Sequence, residues 1–218
     1  MRSLFPALLC ALLAVPAAAQ VQAGLPGLED LPEPARYLAG YVSAGGGLAF
    51  PFGGHWGDRG DGFKPSAVYS LSASRRLDEI VSYGLESSYS PRHGHRAMKD
   101  MRLGIFAFTP FIKISSPELD KTYYGVLGAG LYQWTQPAFT SGGVRFGSDS
   151  GSSAGINIGG GVSYPFWRGT MIGLDLRWHH ILNMKGANFD LNSADNLNVM
   201  LVLHYGVWKN KRQALTSQ

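Results

Sequence analysis

The chain has 218 residues, 45% hydrophobic, 12% aromatic and only 16% charged, with 29 glycines, 12 prolines and one cysteine. That apolar content excludes a disordered chain, a single cysteine excludes a disulfide scaffold, and so much glycine makes a poor helical composition. The 19 basic and 15 acidic side chains leave a net charge of +4, scattered thinly and without the clustered Lys/Arg face that nucleic acid requires.

The N-terminus reads as an export signal. Arg2 precedes an apolar run from Leu4 to Val15, Pro16 breaks it, and Ala17, Ala18 and Ala19 form a small-residue cleavage site before Gln20. This predicts a signal peptide over residues 1–19, with an apolar core too short to anchor in a membrane. Cys10 lies inside it, so the mature chain is expected to carry no cysteine. Residues 20–36, with Pro26, Pro32 and Pro34, read as a periplasmic linker.

From Tyr37 the apolar residues alternate with period two in segments of about ten residues. Eight strands are predicted, over 37–50, 66–76, 80–90, 100–114, 122–134, 153–164, 170–182 and 195–208. Tyr83, Leu85 and Tyr89 share one parity opposite Ser82, Glu86 and Ser88. Leu174, Leu176 and Trp178 oppose Asp175, Arg177 and His179, and Leu197 to Val207 repeats the pattern. Two strands are less tidy. In 122–134 both parities are apolar, and in 100–114 Pro110 predicts a bulge or an early strand end.

The breaks alternate long (51–65, 91–99, 135–152, 183–194) and short (77–79, 115–121, 165–169). Outer-membrane up-and-down barrels are built this way, with external loops and periplasmic turns. Tyr37, Tyr89, Trp134, Tyr164, Trp167, Trp178 and Trp208 fall near strand ends, where aromatic girdles sit. A soluble β-sandwich or lipocalin-like cup would alternate too. Long strands, a small and weakly charged inner parity and the missing cysteine favour lipid. The prediction is one eight-stranded antiparallel transmembrane β-barrel over 37–208, followed by a short basic tail, 209–218, with Lys209, Lys211 and Arg212.

The stretches GVLGAGLYQ (125–133), INIGGGVSYPF (156–166), MIGLDLRWHHI (171–181) and NLNVMLVLHYGV (196–207) resemble the small outer-membrane β-barrel family that includes the OmpA- and OmpX-like proteins. The resemblance implies a barrel placed in the outer membrane by the barrel assembly machinery, in contact with outer-membrane lipids and lipopolysaccharide. It also implies surface ligands met through the loops. The chain departs from the family's usual terminal aromatic residue, because KNKRQALTSQ follows Trp208, too short for a peptidoglycan-binding domain.

Glu86, Arg102, Asp175, Arg177 and His179 are assigned to the lumen, where buried charges must pair; the expectation is a salt-bridge network that plugs the barrel. Arg177, His180 and Asn183 resemble the R-x-x-H-x-S-N stretch of outer-membrane lipid A deacylases, whose His and Ser lie on the lipid side. By parity His180 also faces lipid. Leu182 takes the serine's place, so no activated hydroxyl is available and no catalytic residue is expected. Gly128-Ala129-Gly130 and Gly159-Gly160-Gly161 read as close-packing positions rather than phosphate loops. Arg59-Gly60-Asp61 and the loop histidines His55, His93 and His95 read as solvated loop residues, with no metal or cofactor expected. The function expected is structural or surface-interactive, carried by the loops. The alternatives are a narrow pore and a lipid A-modifying enzyme.

Overall fold

The computed structural model describes residues 38–57, 61–77, 80–117, 121–167 and 169–209. The predicted signal, the linker and all of the tail beyond Lys209 lie outside the described residues, as do Arg59 and Gly60. The strands are β1 (Leu38–Phe52), β2 (Ser66–Arg76), β3 (Val81–Gly94), β4 (Arg102–Pro117), β5 (Thr122–Gln136), β8 (Asp149–Trp167), β9 (Thr170–Lys185) and β10 (Asp190–Lys209). They close in the order β1-β10-β9-β8-β5-β4-β3-β2, every pair antiparallel. All eight predicted strands are present.

The register fixes the barrel's size. Starting at Val42, opposite residues run through Ala73, Leu85, Pro110, Ala129, Ile156, His180 and Asp195, and return to β1 at Phe52. The return point lies ten residues beyond the start, a shear of ten for eight strands. With about 3.3 Å per residue and about 4.8 Å between strands, the strands tilt by about 40° and the backbone radius is about 8 Å. Side chains alone fill an interior of that width.

The outer face is apolar and exposed, with Leu71, Leu85, Leu127, Leu131, Leu201 and Tyr205 standing clear of the wall. A continuous exposed band of this kind belongs against lipid, not water. Tyr89, Tyr164 and Trp167 lie outward at its edges, as expected. Trp134 does not: it points inward, 2% exposed, so it belongs to the core and not to a girdle. Pro110 neither ends nor bulges β4. From Ile105 the strand runs in one register past Pro110, and the ladder to β5 merely skips the pairs at Thr109 and Pro110.

The strand ends Arg76 and Val81, Pro117 and Thr122, and Trp167 and Thr170 lie at one end, the turn end, and Phe52 and Ser66, Gly94 and Arg102, Gln136 and Asp149, and Lys185 and Asp190 at the other, the loop end. The strands continue past the apolar band, where the outward residues turn polar and the alternation weakens, so the loops are shorter than predicted. The loop end also carries a short helix, α1 (Gly54–Gly57), and a two-stranded hairpin of β6 (Phe139–Ser141) and β7 (Val144–Phe146). Neither was legible from periodicity.

Candidate functional site: a closed lumen beneath a loop-end cup

The lumen is built in two layers. In the polar layer, Asp175 and Arg177 project inward from β9, two residues apart on one parity, and Glu86 projects from β3. Arg177 donates to both Glu86 carboxylate oxygens at 3.1 and 3.2 Å and to Asp175 Oδ2 at 2.9 Å. Tyr124 on β5 donates its hydroxyl to the same Asp175 oxygen at 3.1 Å, and the Lys113 ammonium lies 3.9 Å from the Tyr124 ring centre. Two carboxylates thus face two cations in a space where an unpaired charge would be very costly. Nearer the turns, Ser43 and His204 share a 2.7 Å hydrogen bond.

Toward the loops the interior turns apolar. Leu103, Ile105, Tyr132, Trp134, Ile181 and Met184 form one buried cluster with Trp56 of α1 and Phe63 of the first loop. Trp56 donates its indole N–H to Asn196 at 3.0 Å, tying the helix down onto the barrel mouth. Met184 reaches this cluster because Asn183 adopts a left-handed conformation, φ 49°, which reverses the alternation of β9 there. Asn tolerates that region better than most residues. Two cavities in the lumen measure about 20 and 30 Å³, room for one or two waters each.

Of the five residues assigned to the lumen network, Glu86, Asp175 and Arg177 come together. His179 is also buried but sits a layer higher, its Nδ1 2.9 Å from the Tyr132 hydroxyl. Arg102 is a correction. It is exposed at the loop end of β4, on the outward parity of Phe106 and Phe108; the alternation of β4 holds from Arg102 through Pro110, and the register shift lies on β3 between Ser90 and His93. Lys113 and Tyr124 were missed for a related reason. Both lie on the two strands whose inner parity is itself apolar near the loops, which hid the face assignment.

On the outward parity, His180 Nδ1 lies 2.7 Å from Asp195 Oδ1, and Trp178 donates its indole N–H to the same oxygen at 3.0 Å. His180 and Asp195 are direct cross-strand partners. Asp195 was not singled out in the sequence, although an acidic residue on the parity of Leu197 and Val199 is its signal. Leu182, two residues beyond His180, is exposed and supplies no nucleophile.

Above the apolar cluster, a cup of about 360 Å³ opens between the loops, lined by His55, Phe63, His95, Met98, Met101 and Leu191, with Asp61 and Asp190 at its rim. His93 sits buried beneath it with Nδ1 on the Lys64 carbonyl at 3.1 Å. His95 Nδ1 accepts the amides of Ala97 and Met98 at 3.2 and 3.1 Å, so the ring is held neutral. Burial pushes the His95 imidazole below its ordinary range, and the nearby Asp61 carboxylate opposes that shift in part. His55 is exposed.

A closed eight-stranded antiparallel barrel with an apolar outer face and a filled, charged interior, and with its longer connections (between β1 and β2, β3 and β4, and β5 and β8) all at one end, defines the class of small outer-membrane barrels. Among solved structures, the chain is similar to Neisserial surface protein A, with a TM-score of 0.55 and 16% identity over 78% of this chain and 97% of that one. It is also similar, with a TM-score of 0.44 in each case, to the N-terminal β-barrel domain of Pseudomonas aeruginosa OprF and to Ail, the attachment invasion locus protein of Yersinia pestis. Identity is 14% over 78% of this chain and 99% of OprF's domain, and 15% over 76% of this chain and 96% of Ail. No family model matches the sequence, and no curated protein matches it.

Proposed function

We propose that this protein is an exported outer-membrane barrel that does not conduct and does no chemistry, and that its loop end recognises a ligand at the cell surface. The observation that carries this reading is the filled lumen: among the described residues the Arg177 layer and the apolar cluster above it occupy the interior, and the cavities beside that layer measure about 20 and 30 Å³. Function then moves to the loops, where a cup of mixed apolar and histidine lining opens between the first loop, the loop after β3 and the start of β10. The orientation is testable by labelling whole cells with a membrane-impermeant maleimide. Arg96→Cys, in the third-strand loop, is expected to label on intact cells. Leu77→Cys, at an exposed turn, is expected to label only after lysis. The opposite pattern would overturn the assignment of the loops to the outside.

The His180–Asp195 pair favours a second reading, a lipid-modifying enzyme. An imidazole oriented by a carboxylate on a lipid-facing wall is a general base in form. With Leu182 in place of a hydroxyl, it would have to activate water directly. The primary reading expects identical lipid A masses in cells with and without the protein; loss of one acyl chain would replace it with the enzyme.

A further inference from the structure

The outer wall is not uniformly convex. Across β2, β3, β4, β5 and β8 lies an apolar trough of about 1340 Å³. Its floor is Ala73, Pro110 and Ala129, which occupy one lateral row of the register together with Leu85 and Ile156. Tyr83, Ile112 and Leu127, one row nearer the turns, form its lower wall. Arg75, directly opposite Tyr83, is the one charged residue among the described residues lining it.

The direction of the trough follows from the shear. Its row begins near the turns, three residues before the end of β2 at Arg76, and climbs toward the loops as it crosses to Ile156. Four strand spacings of about 4.8 Å give a length of about 19 Å, and the tilt makes it rise by about 12 Å. One leaflet of hydrocarbon is about 15 Å deep. The trough therefore starts at the turn-end interface beside a cation and an interfacial tyrosine, and ends near mid-bilayer.

We infer that this trough holds one glycerophospholipid of the periplasmic leaflet, its phosphate on the Arg75 guanidinium and one acyl chain laid along Ala73, Pro110 and Ala129. Charge complementarity selects the anionic end, since a guanidinium is a forked donor matched to phosphate oxygens. The match of length and depth to one leaflet selects the chain. Packing gains come from filling a concavity that a convex wall would leave to disordered lipid. The inference rests on the membrane-barrel reading with the turns facing the periplasm, whose own failure would appear in the cysteine-labelling pattern and not in lipid binding.

The test uses the full mature chain, delipidated in detergent and titrated with a 16- and 18-carbon phosphatidylglycerol, with bound lipid counted by native mass spectrometry. One lipid is expected to survive at activation that strips the rest. Arg75→Ala is expected to weaken its retention about tenfold. Ala129→Trp, which fills the floor from the exposed face, is expected to abolish it, while Ala44→Trp on the outward face of β1 leaves it unchanged. Gel mobility of unboiled samples verifies that each variant is folded. Equal retention in Ala129→Trp and wild type would overturn the inference. So would a dimer mass without lipid that Ala129→Trp dissociates, because the occupant would then be a second copy of the chain.

Discussion

Arg177→Ala is expected to destabilise the folded barrel by about 3–5 kcal/mol, the range for removing one partner of a buried ion pair. Arg177 is 4% exposed, and its guanidinium is the partner of both Glu86 and Asp175. Truncation would leave two carboxylates facing each other across the lumen, with Lys113 the remaining cation among the described residues lining that space. The loss is of charge balance more than of contact. A quadruple variant, Arg177→Met with Glu86→Gln, Asp175→Asn and Lys113→Met, should therefore recover most of the stability, since a neutral filled layer escapes the penalty. Urea titration read by the mobility shift of unboiled samples measures both. If Arg177→Ala unfolds no earlier than the exposed-loop variant Arg96→Ala, the network contributes nothing to holding the barrel closed.

Gly161→Val is expected to cost about 3 kcal/mol or more, or to block folding, because it overpacks a full interior. A Cβ at Gly161 would lie 2.6 Å from the Tyr124 hydroxyl oxygen and would collide with the Leu174 carbonyl oxygen. Tyr124 is the residue that donates to Asp175, so the substitution strikes the polar layer through its tyrosine as well as the β8–β9 ladder. Gly125→Ala is the matched control. Position 125 faces outward, and an added Cβ there meets nothing nearer than 3.9 Å. Equal stability of Gly161→Val and Gly125→Ala would show that the lumen has slack this account denies it.

The strands and most of their faces were legible because the membrane imposes alternation on every residue inside its band. Tyr83, Leu85, Leu174, Leu176, Leu201 and Leu203 point out, and Glu86, Asp175, Arg177 and Asn198 point in, as period two predicts. The rule failed where its cause was absent. Near the loops the lumen itself becomes apolar, so Leu103, Ile105, Tyr132 and Trp134 read ambiguously, and Arg102 was placed on the wrong side. Beyond the band the outward residues turn polar and the pieces are short, so the extensions of β8 and β10 and the three-residue strands of the β6–β7 hairpin left no periodic trace, although Leu191, Ala194 and Phe139 pack into the apolar cluster. Long-range chemistry was partly legible. That Arg177 needs carboxylates followed from parity and a narrow lumen, whereas its hydrogen bonds to Glu86, 91 positions away, needed the closed order of strands. The motif Arg177, His180 and Asn183 dissolves into three separate tasks: balancing the lumen charge, pairing with Asp195, and turning Met184 inward.

Planar-bilayer recording of the purified protein reads whether the barrel is closed by its own side chains. No conductance steps above the lipid background are expected for the wild type, at either polarity. Reproducible single-channel steps from folded protein would contradict the closed lumen and put a pore in the place of a surface barrel.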